Sequence, residues 1–191
     1  MNTSAHMIFG AAAFGRPGAP RVTAAAVLGS LAPDVSLYLM AGWALLVAGI
    51  APEIVFGRLY FSEGWQRVFA IDNSFLLWGA VLAATSRLRH PAAPAFVAAG
   101  LLHLGFDFAL HNEDARPMFW PLSDWVFRSP FSYWDRAHYG AVIAPLEWGA
   151  VLLLGLLLWR RHRWLWARVL IVLAVLAETL ASGLFGMPIA H

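Results

Sequence analysis

The chain has 191 residues, of which 60% are hydrophobic and only 13% are charged; this is about half the charged fraction of an average soluble domain and indicates an integral membrane protein. All 13 basic residues are arginine and the formal net charge is only +2, so we expect no concentrated basic surface for nucleic acid. The chain has no cysteine, which excludes disulfides, thiol nucleophiles and thiolate metal sites, and leaves His, Asp, Glu and Asn as possible metal ligands.

The first 50 residues predict a helical hairpin. Residues 5–14 are apolar but too few to cross a membrane, and residues 15–21 form a turn rich in Gly and Pro. Residues 22–50 are apolar but interrupted by Pro33, which predicts a half-helix that ends near Ala32 and a second half that continues outward. The first 15 residues lack the basic start of a signal peptide, and we expect them to belong to the mature fold.

Two polar residues of this hairpin, His6 and Asp34, are expected to lie side by side. In such a hairpin, the first helix is expected to begin, and the half-helix to end, at the same level of the membrane. Discontinuous membrane helices are tolerated where the freed backbone lines a buried or aqueous cavity. Asp34 is therefore a candidate cation ligand, although an Asp at this position is equally typical of a helix N-cap.

Four longer apolar stretches predict membrane-spanning helices, since about 20 residues cross 30 Å of hydrocarbon. They are residues 68–85, Ala92–Leu110, 141–159 and 164–188. The whole pattern predicts an all-α, multi-pass transmembrane bundle of about five spans plus the short N-terminal helical hairpin, folded as a single domain over residues 1–191.

The arginines predict the topology. Eight of them flank turns on one side of the predicted bundle. They are Arg16, Arg21, Arg87, Arg89, Arg160, Arg161, Arg163 and Arg168. The positive-inside rule makes this side cytoplasmic and places residues 51–67, residues 111–140 and the C-terminus on the outer side.

Three metal-competent side chains recur every four residues at the outer end of the span Ala92–Leu110. They are His103, Asp107 and His111. Each four-residue step turns a helix by about 40° and advances it by about 6 Å, so all three line one face. An ionisable side chain at membrane depth costs about 3 kcal/mol on insertion scales and points to function. The alternative is a hydrogen-bonded polar seam between helices.

Further polar residues fall on the same side in this topology. Asp72 and Asn73 lie at the outer mouth of one span, and His138 lies just before another. Asp135 is the carboxylate that could orient His138, as partners of metal ligands do, although a turn of this composition is also typical of a purely structural role. Glu147 is expected near the pocket, about two turns from His138.

Glu147 and Glu178 lie within spans, where each is also a candidate hydrogen-bond partner between helices. The segment 111–140 is dense in Trp, Phe, Tyr and Pro. It is expected to lie at the membrane interface as a lid over the polar residues, or as an interfacial anchor; the two roles are compatible.

The order of four sequence pieces resembles one known family. The pieces are His6, GSLAPDVS at 29–36, HLGFDF at 103–108 and FWPLSDWVF at 119–127. Together they resemble the LexA-regulated family of bacterial inner-membrane, metal-dependent hydrolases. That family carries an early His, a Gly-x-hydrophobic-hydrophobic-Pro-Asp-x-Asp segment, a His-Arg…His-Ser segment, and a His-x-x-x-Asp helix followed by a Trp-Pro loop.

The resemblance covers most of residues 5–128. It implies that His6, Asp34, His103 and Asp107 are metal ligands or their immediate neighbours, and that the protein lies in a bacterial inner membrane. The chain departs from the family at Ser36, which replaces the second Asp, and at residues 66–74, which lack both expected histidines. Asp72 or Asn73 could supply oxygen ligands there, and His111 and His138 could compensate from the other side. The departures favour a one-metal site or a non-catalytic protein over a two-metal enzyme.

The leading functional hypothesis is a metal-dependent hydrolase whose site faces the periplasm. A divalent cation, Zn²⁺ or Mn²⁺, would activate water, and Asp107, His111 and His138 would take part in catalysis or proton transfer. The depth of the site favours an ester or phosphoester of a lipid-like molecule as substrate. The alternatives are a transporter or other non-catalytic membrane protein that binds a metal or solute, and a purely structural membrane subunit.

Overall fold

The computed structural model describes residues 1–182, and these residues are helical apart from turns and one long irregular segment. The α-helices are α1 (Thr3–Phe14), α2 (Pro20–Leu31), α3 (Val35–Gly42), α4 (Pro52–Ile54), α5 (Glu63–Asp72), α6 (Phe75–Thr85), α7 (Ala92–Leu110), α8 (Gly140–Arg161) and α9 (Leu165–Ala181). Short 3₁₀ turns at Ala32–Asp34 and Arg136–His138 and π-helical turns at Trp43–Val47 and Val55–Leu59 complete the helical elements.

Four helical runs among the described residues are long and apolar enough to cross a membrane. They are Pro20–Val47, Glu63–Thr85, Ala92–Leu110 and Gly140–Arg161. The predicted span 164–188 appears as the 17-residue helix α9, and its last residues, 183–188, lie outside the described part of the chain. The predicted all-α, multi-helix membrane fold is confirmed.

The proline break in the first span tightens the helix without ending it. Helix α2 stops at Leu31, the 3₁₀ turn Ala32–Asp34 follows, and α3 continues directly from Val35. Pro33 lies in the first positions of the 3₁₀ turn, where its missing N–H removes no helical hydrogen bond. The result is a change of helical pitch that leaves Asp34 at the junction.

The second span begins earlier than the sequence indicates. Helix α5 starts at Glu63, so residues 63–67, assigned above to the outer segment, belong to a helix instead. Glu63 and Arg67 form an exposed ion pair one helical turn apart, which lets polar residues continue the helix. The helix breaks after Asp72 and restarts with Ser74, whose hydroxyl accepts a hydrogen bond from the backbone N–H of Leu77.

Helix α1 is a short core helix. It packs against α2, α7, α8 and α9, and Ala5, Ile8 and Ala11 belong to a buried apolar cluster with Val151 and Leu158. An apolar helix of this length is typical of a buried core element. Its first turn, which carries His6, is therefore enclosed by longer helices.

Two long-range hydrogen bonds identify the two ends of the bundle. At one end, Nη1 of Arg161 donates to the carbonyl of Ala12 at 3.4 Å. At the other end, the Tyr60 hydroxyl donates to the carbonyl of Asp114 at 2.9 Å. The 111–140 segment therefore lies beside the 48–62 connection, as the predicted topology requires.

Candidate metal centre

Three buried side chains from two helices converge in the interior of the bundle. His6 on α1 is 2% exposed, and His103 and Asp107 on α7 are 2% and 4% exposed. One donor atom from each lies within 4.8 Å of the other two. The two imidazoles flank the carboxylate, since Nε2 of His6 is 3.0 Å from Oδ1 of Asp107 and Nε2 of His103 is 3.0 Å from Oδ2.

The backbone of α2 fixes the orientation of His103. Nδ1 of His103 lies 2.7 Å from the carbonyl oxygen of Ser30; a carbonyl can only accept, so Nδ1 carries the proton. Nε2 is then the atom with the free lone pair, and it is buried without a hydrogen-bond partner. Metal-binding histidines are oriented in this way, with the second nitrogen bonded to a carbonyl or carboxylate.

Close packing of α2 on α7 makes this contact possible. A Cβ atom built on Gly29 would lie 2.0 Å from the carbonyl oxygen of Phe96. Any larger residue at position 29 would push the two helices apart and lengthen the contact between Ser30 and His103. The glycine is thus required by helix spacing.

His6 stacks on His103. Their ring centroids are 3.6 Å apart and the rings are inclined by only 14°. Nδ1 of His6 is also buried without a hydrogen-bond partner. Two parallel imidazoles that share one carboxylate form a compact nitrogen and oxygen donor set.

Asp34 joins the group from the 3₁₀ turn. Its Oδ2 is 3.7 Å from Nε2 of His103, and its Oδ1 accepts an ion-paired hydrogen bond of 2.8 Å from Arg116. The side chain makes no capping hydrogen bond to α3. Of the two interpretations of Asp34 left open by the sequence, the geometry thus favours the site over the helix cap.

His111 extends the group beyond the end of α7. Its backbone has left the helix, yet Nε2 lies 3.2 Å from Oδ1 of Asp107, and Nδ1 lies 2.7 Å from Oδ2 of Asp114. The α-amino nitrogen of Met1 is 3.3 Å from the same Oδ1. Burial lowers the pKa of His111, but Asp107 and Asp114 together raise it further, so the net direction is upward.

The structure does not bring His138 and Asp135 to this group. Asp135 begins the 3₁₀ turn Arg136–His138, accepts from the backbone of Ala137 at 2.8 Å and pairs with Nδ1 of His138 at 2.6 Å. Among the described residues, no hydrogen bond or ion pair joins His138 to the buried histidines. This pair has the geometry of a local turn, because Asp135 satisfies the donors nearest to it in sequence.

Asp72, Asn73 and Glu147 were expected to support the site, and they differ in what they reach. The backbone carbonyl of Asp72 accepts from the indole of Trp78. Within residues 1–182, its carboxylate makes no hydrogen bond or ion pair with the proposed metal-binding side chains. Asn73 is fully buried and accepts from Arg116 at 3.2 Å. Glu147 accepts from the backbone N–H of Asn2 at 2.7 Å, so it contacts α1 and not a ligand directly.

Two residues that the sequence analysis missed are Arg116 and Asp114. Arg116 is 6% exposed and bonds to Asp34 across 82 residues of sequence. Asp114 holds His111, and also accepts from the indole of Trp134 at 3.2 Å. Asp114 lies three residues after His111, a spacing that local sequence could have indicated, whereas no spacing rule connects Arg116 to Asp34.

The donor set fits a divalent cation. Ligand atoms about 2.1 Å from a tetrahedral ion are about 3.4 Å apart, close to the 3.0 Å separations between the histidines and Asp107. Imidazole with carboxylate suits Zn²⁺ or Mn²⁺. The unpartnered Nε2 of His103 is an atom that such an ion would satisfy.

Comparisons of the chain with protein-family models, with curated proteins and with solved structures find no match. The fold and the buried cluster define the class: an all-α membrane protein with a His-His-Asp group that could hold a metal ion.

Proposed function

We propose that this protein is a membrane-bound, metal-dependent hydrolase in which His6, His103 and Asp107 hold one divalent cation, Zn²⁺ or Mn²⁺, and Asp34 completes the ligand set. The observation that carries the proposal is the buried Nε2 of His103, which makes no hydrogen bond although the Ser30 carbonyl orients it toward Asp34 and toward Asp107, 3.0 Å away. Burying such donors without a ligand leaves desolvation uncompensated. A cation between them would compensate it.

The residues around the cluster supply the remaining chemistry. A bound cation supplies Lewis acidity that activates water and stabilises negative charge on the substrate. In its neutral form, with Nδ1–H donated to Asp114, His111 would take the proton of the attacking water at Nε2, the nitrogen that faces Asp107. The 111–140 segment, which places His111 against Asp107 and Arg116 against Asp34, would cover the cluster and exclude bulk water.

The depth of the site favours a lipid-like substrate. His103 and Asp107 lie in the second half of α7, a helix apolar enough to span a membrane. An ester or phosphoester near the lipid headgroups would have the shortest distance to move to reach them. The resemblance to the LexA-regulated hydrolases favours a bacterial inner membrane, and the arginine distribution then favours a site on the periplasmic side.

The resemblance to the LexA-regulated hydrolases supports the same ligands. The matching pieces contribute His6, Asp34, His103 and Asp107, the residues that approach one another here. The chain lacks the family's second Asp at Ser36 and both histidines in residues 66–74. These departures favour one metal ion over two.

Metal analysis of the purified protein tests the proposal. We expect about one Zn²⁺ or Mn²⁺ per chain, and its loss in His103→Ala and in the nearly isosteric Asp107→Asn. His90→Ala is the matched control, because His90 is exposed and precedes the first residue of α7, whereas His103 and Asp107 lie in the second half of that helix. Hydrolysis of a p-nitrophenyl ester or phosphodiester should require the metal and stop on chelation.

Either of two results would contradict the proposal. If the wild-type protein contains no metal and gains no thermal stability from added Zn²⁺ or Mn²⁺, the proposed metal site is wrong. Protein that binds the metal but hydrolyses neither an ester nor a phosphoester would favour the second candidate function, a metal- or solute-binding or transport protein. The near-complete burial of the three ligands is the observation that favours this second candidate.

A further inference from the structure

Arg116 is a buried cation that connects three separate parts of the bundle. It is 6% exposed, and its guanidinium donates to Asp34 at 2.8 Å, to the side-chain oxygen of Asn73 at 3.2 Å and to the Tyr60 hydroxyl at 3.1 Å. Its central carbon lies 4.7 Å from the ring centre of Phe69, within the range of a cation–π contact. The guanidinium is thus held from several directions.

The environment keeps Arg116 charged. Burial lowers the pKa of Arg116, but Tyr60, Asp34 and Asp107 raise it further, so the net direction is upward. A buried charge is tolerated when it is paired and hydrogen-bonded, and removal of one partner leaves the other uncompensated. Arg116 and Asp34 therefore depend on each other for burial.

Two other hydrogen bonds that dock the 111–140 segment do not involve the metal ligands. The Phe75 N–H donates to the carbonyl of Met118 at 2.9 Å, and the Ser74 hydroxyl donates to the carbonyl of Trp120 at 2.5 Å. Arg116 differs from these contacts because its partner Asp34 turns its second oxygen toward His103, 3.7 Å away.

We infer that Arg116 is a positioning residue that latches the 111–140 segment over the proposed metal site, so that docking of the segment and orientation of Asp34 toward His103 are one event. This inference rests on the proposed function. The three other ligands are 2–4% exposed, so an ion can enter or leave only when part of the surrounding structure moves. The 111–140 segment is the part that contacts the ligands through His111 and Arg116. Release of Arg116 from Asp34 opens that route and removes one ligand from its place.

The first experiment measures metal release and the ligand field. With Co²⁺ as the probe, Arg116→Met should speed release to a chelator by about 10- to 100-fold, the usual effect of losing a residue that orients a ligand. Its visible spectrum should match that of Asp34→Asn, and the double variant should behave like Asp34→Asn alone, since Arg116 acts through Asp34. Arg128→Met is the matched control, because Arg128 is an exposed arginine of the same segment.

The second experiment needs no metal. The chain has no cysteine, and Met118 is 3% exposed. Met118→Cys therefore introduces a single buried thiol in the 111–140 segment, two residues from Arg116. Maleimide labelling should be slow in this background and at least about tenfold faster when Arg116→Met is added, and unchanged when Arg128→Met is added. Arg116→Lys keeps the charge but not the planar fork of the guanidinium. It should give a labelling rate between those with Arg116 and with Arg116→Met, and it replaces Arg116→Met in the test if that variant does not fold.

The outcomes separate this inference from the proposed function. If Arg116→Met and Arg116→Lys release Co²⁺ and react with maleimide as slowly as the proteins that keep Arg116, the inference that Arg116 holds the segment closed is wrong, while the metal site stands. If the wild-type protein binds no metal, the proposed function fails, and labelling alone then decides whether Arg116 holds the segment closed.

Discussion

Individual residues in the cluster are set by partners that local sequence only partly reveals. His103 receives its tautomer from the Ser30 carbonyl, and His111 receives its orientation from Asp114. In both residues the other ring nitrogen, Nε2, then points toward Asp107. The tautomer and orientation of each imidazole therefore depend on a neighbour that is not itself a proposed metal ligand.

A substitution at Asp114 separates catalysis from metal binding. Asp114→Asn should lower hydrolytic turnover by about 10- to 100-fold, because a weaker partner no longer orients His111, while the metal content stays at the wild-type level. Steady-state kinetics with elemental analysis of the same sample measures both. Glu113→Gln, at the exposed neighbouring position, should leave both unchanged; an equal effect of the two substitutions would argue against the role of Asp114.

At the scale of elements, α1 is positioned by two glutamates from the last two helices. Glu147 on α8 accepts from the backbone N–H of Asn2 at 2.7 Å, and Glu178 on α9 accepts from the side chains of Asn2 at 2.9 Å and Ser4 at 2.7 Å. The first N–H groups of a helix lack intrahelical partners and favour negative charge nearby. Glu147 accepts from one backbone N–H at this end and Glu178 accepts from two side chains, so both glutamates hold the start of α1 about one turn before His6.

Loss of Glu178 should therefore disturb the metal site from a distance. We expect Glu178→Ala to lower the free energy of unfolding by about 1–3 kcal/mol, since it leaves buried donors without partners, and to weaken metal binding because His6 shifts with α1. Glu178→Gln keeps an acceptor and should cost less. Thermal unfolding and metal titration measure the two effects, with the exposed Glu53→Ala as control; wild-type metal affinity in Glu178→Ala would show that α1 is held by apolar packing alone.

At the scale of the whole molecule, alternating helices place the polar cluster at one end of the bundle and the main arginine group at the other. Arg161 lies beside the end of α1, and Tyr60 lies beside the 111–140 segment. If the arginine-rich end is cytoplasmic, the cluster opens toward the periplasm. The orientation is the part of this arrangement that a labelling experiment decides.

Single cysteines test the orientation because the chain has none of its own. An impermeant thiol reagent applied to intact spheroplasts should label Glu113→Cys and spare Arg161→Cys, since both positions are exposed but at opposite ends. Permeabilised cells should label both. Labelling of Arg161→Cys alone in intact spheroplasts would reverse the topology and the proposed periplasmic site.

The sequence alone determined the features that depend on local periodicity. Runs of apolar residues predicted the spanning helices, and the break near Ala32 was placed within one residue of the end of α2 at Leu31. The four-residue spacing of His103 and Asp107 put them on one face, because helix geometry alone sets that relation. The start of α5 was missed because an ion pair, not apolar character, extends the helix to Glu63.

Tertiary structure decided which distant residues meet. His6 contacts Asp107 across 101 residues of sequence. The family resemblance implied this grouping, whereas the pairing of Arg116 with Asp34 and the separation of His138 from the cluster followed from no local pattern. Such contacts depend on how closely α2 approaches α7 at Gly29 and on where the irregular 111–140 segment docks. Both are set by packing and by the need to pair buried charges, which act between residues far apart in the chain.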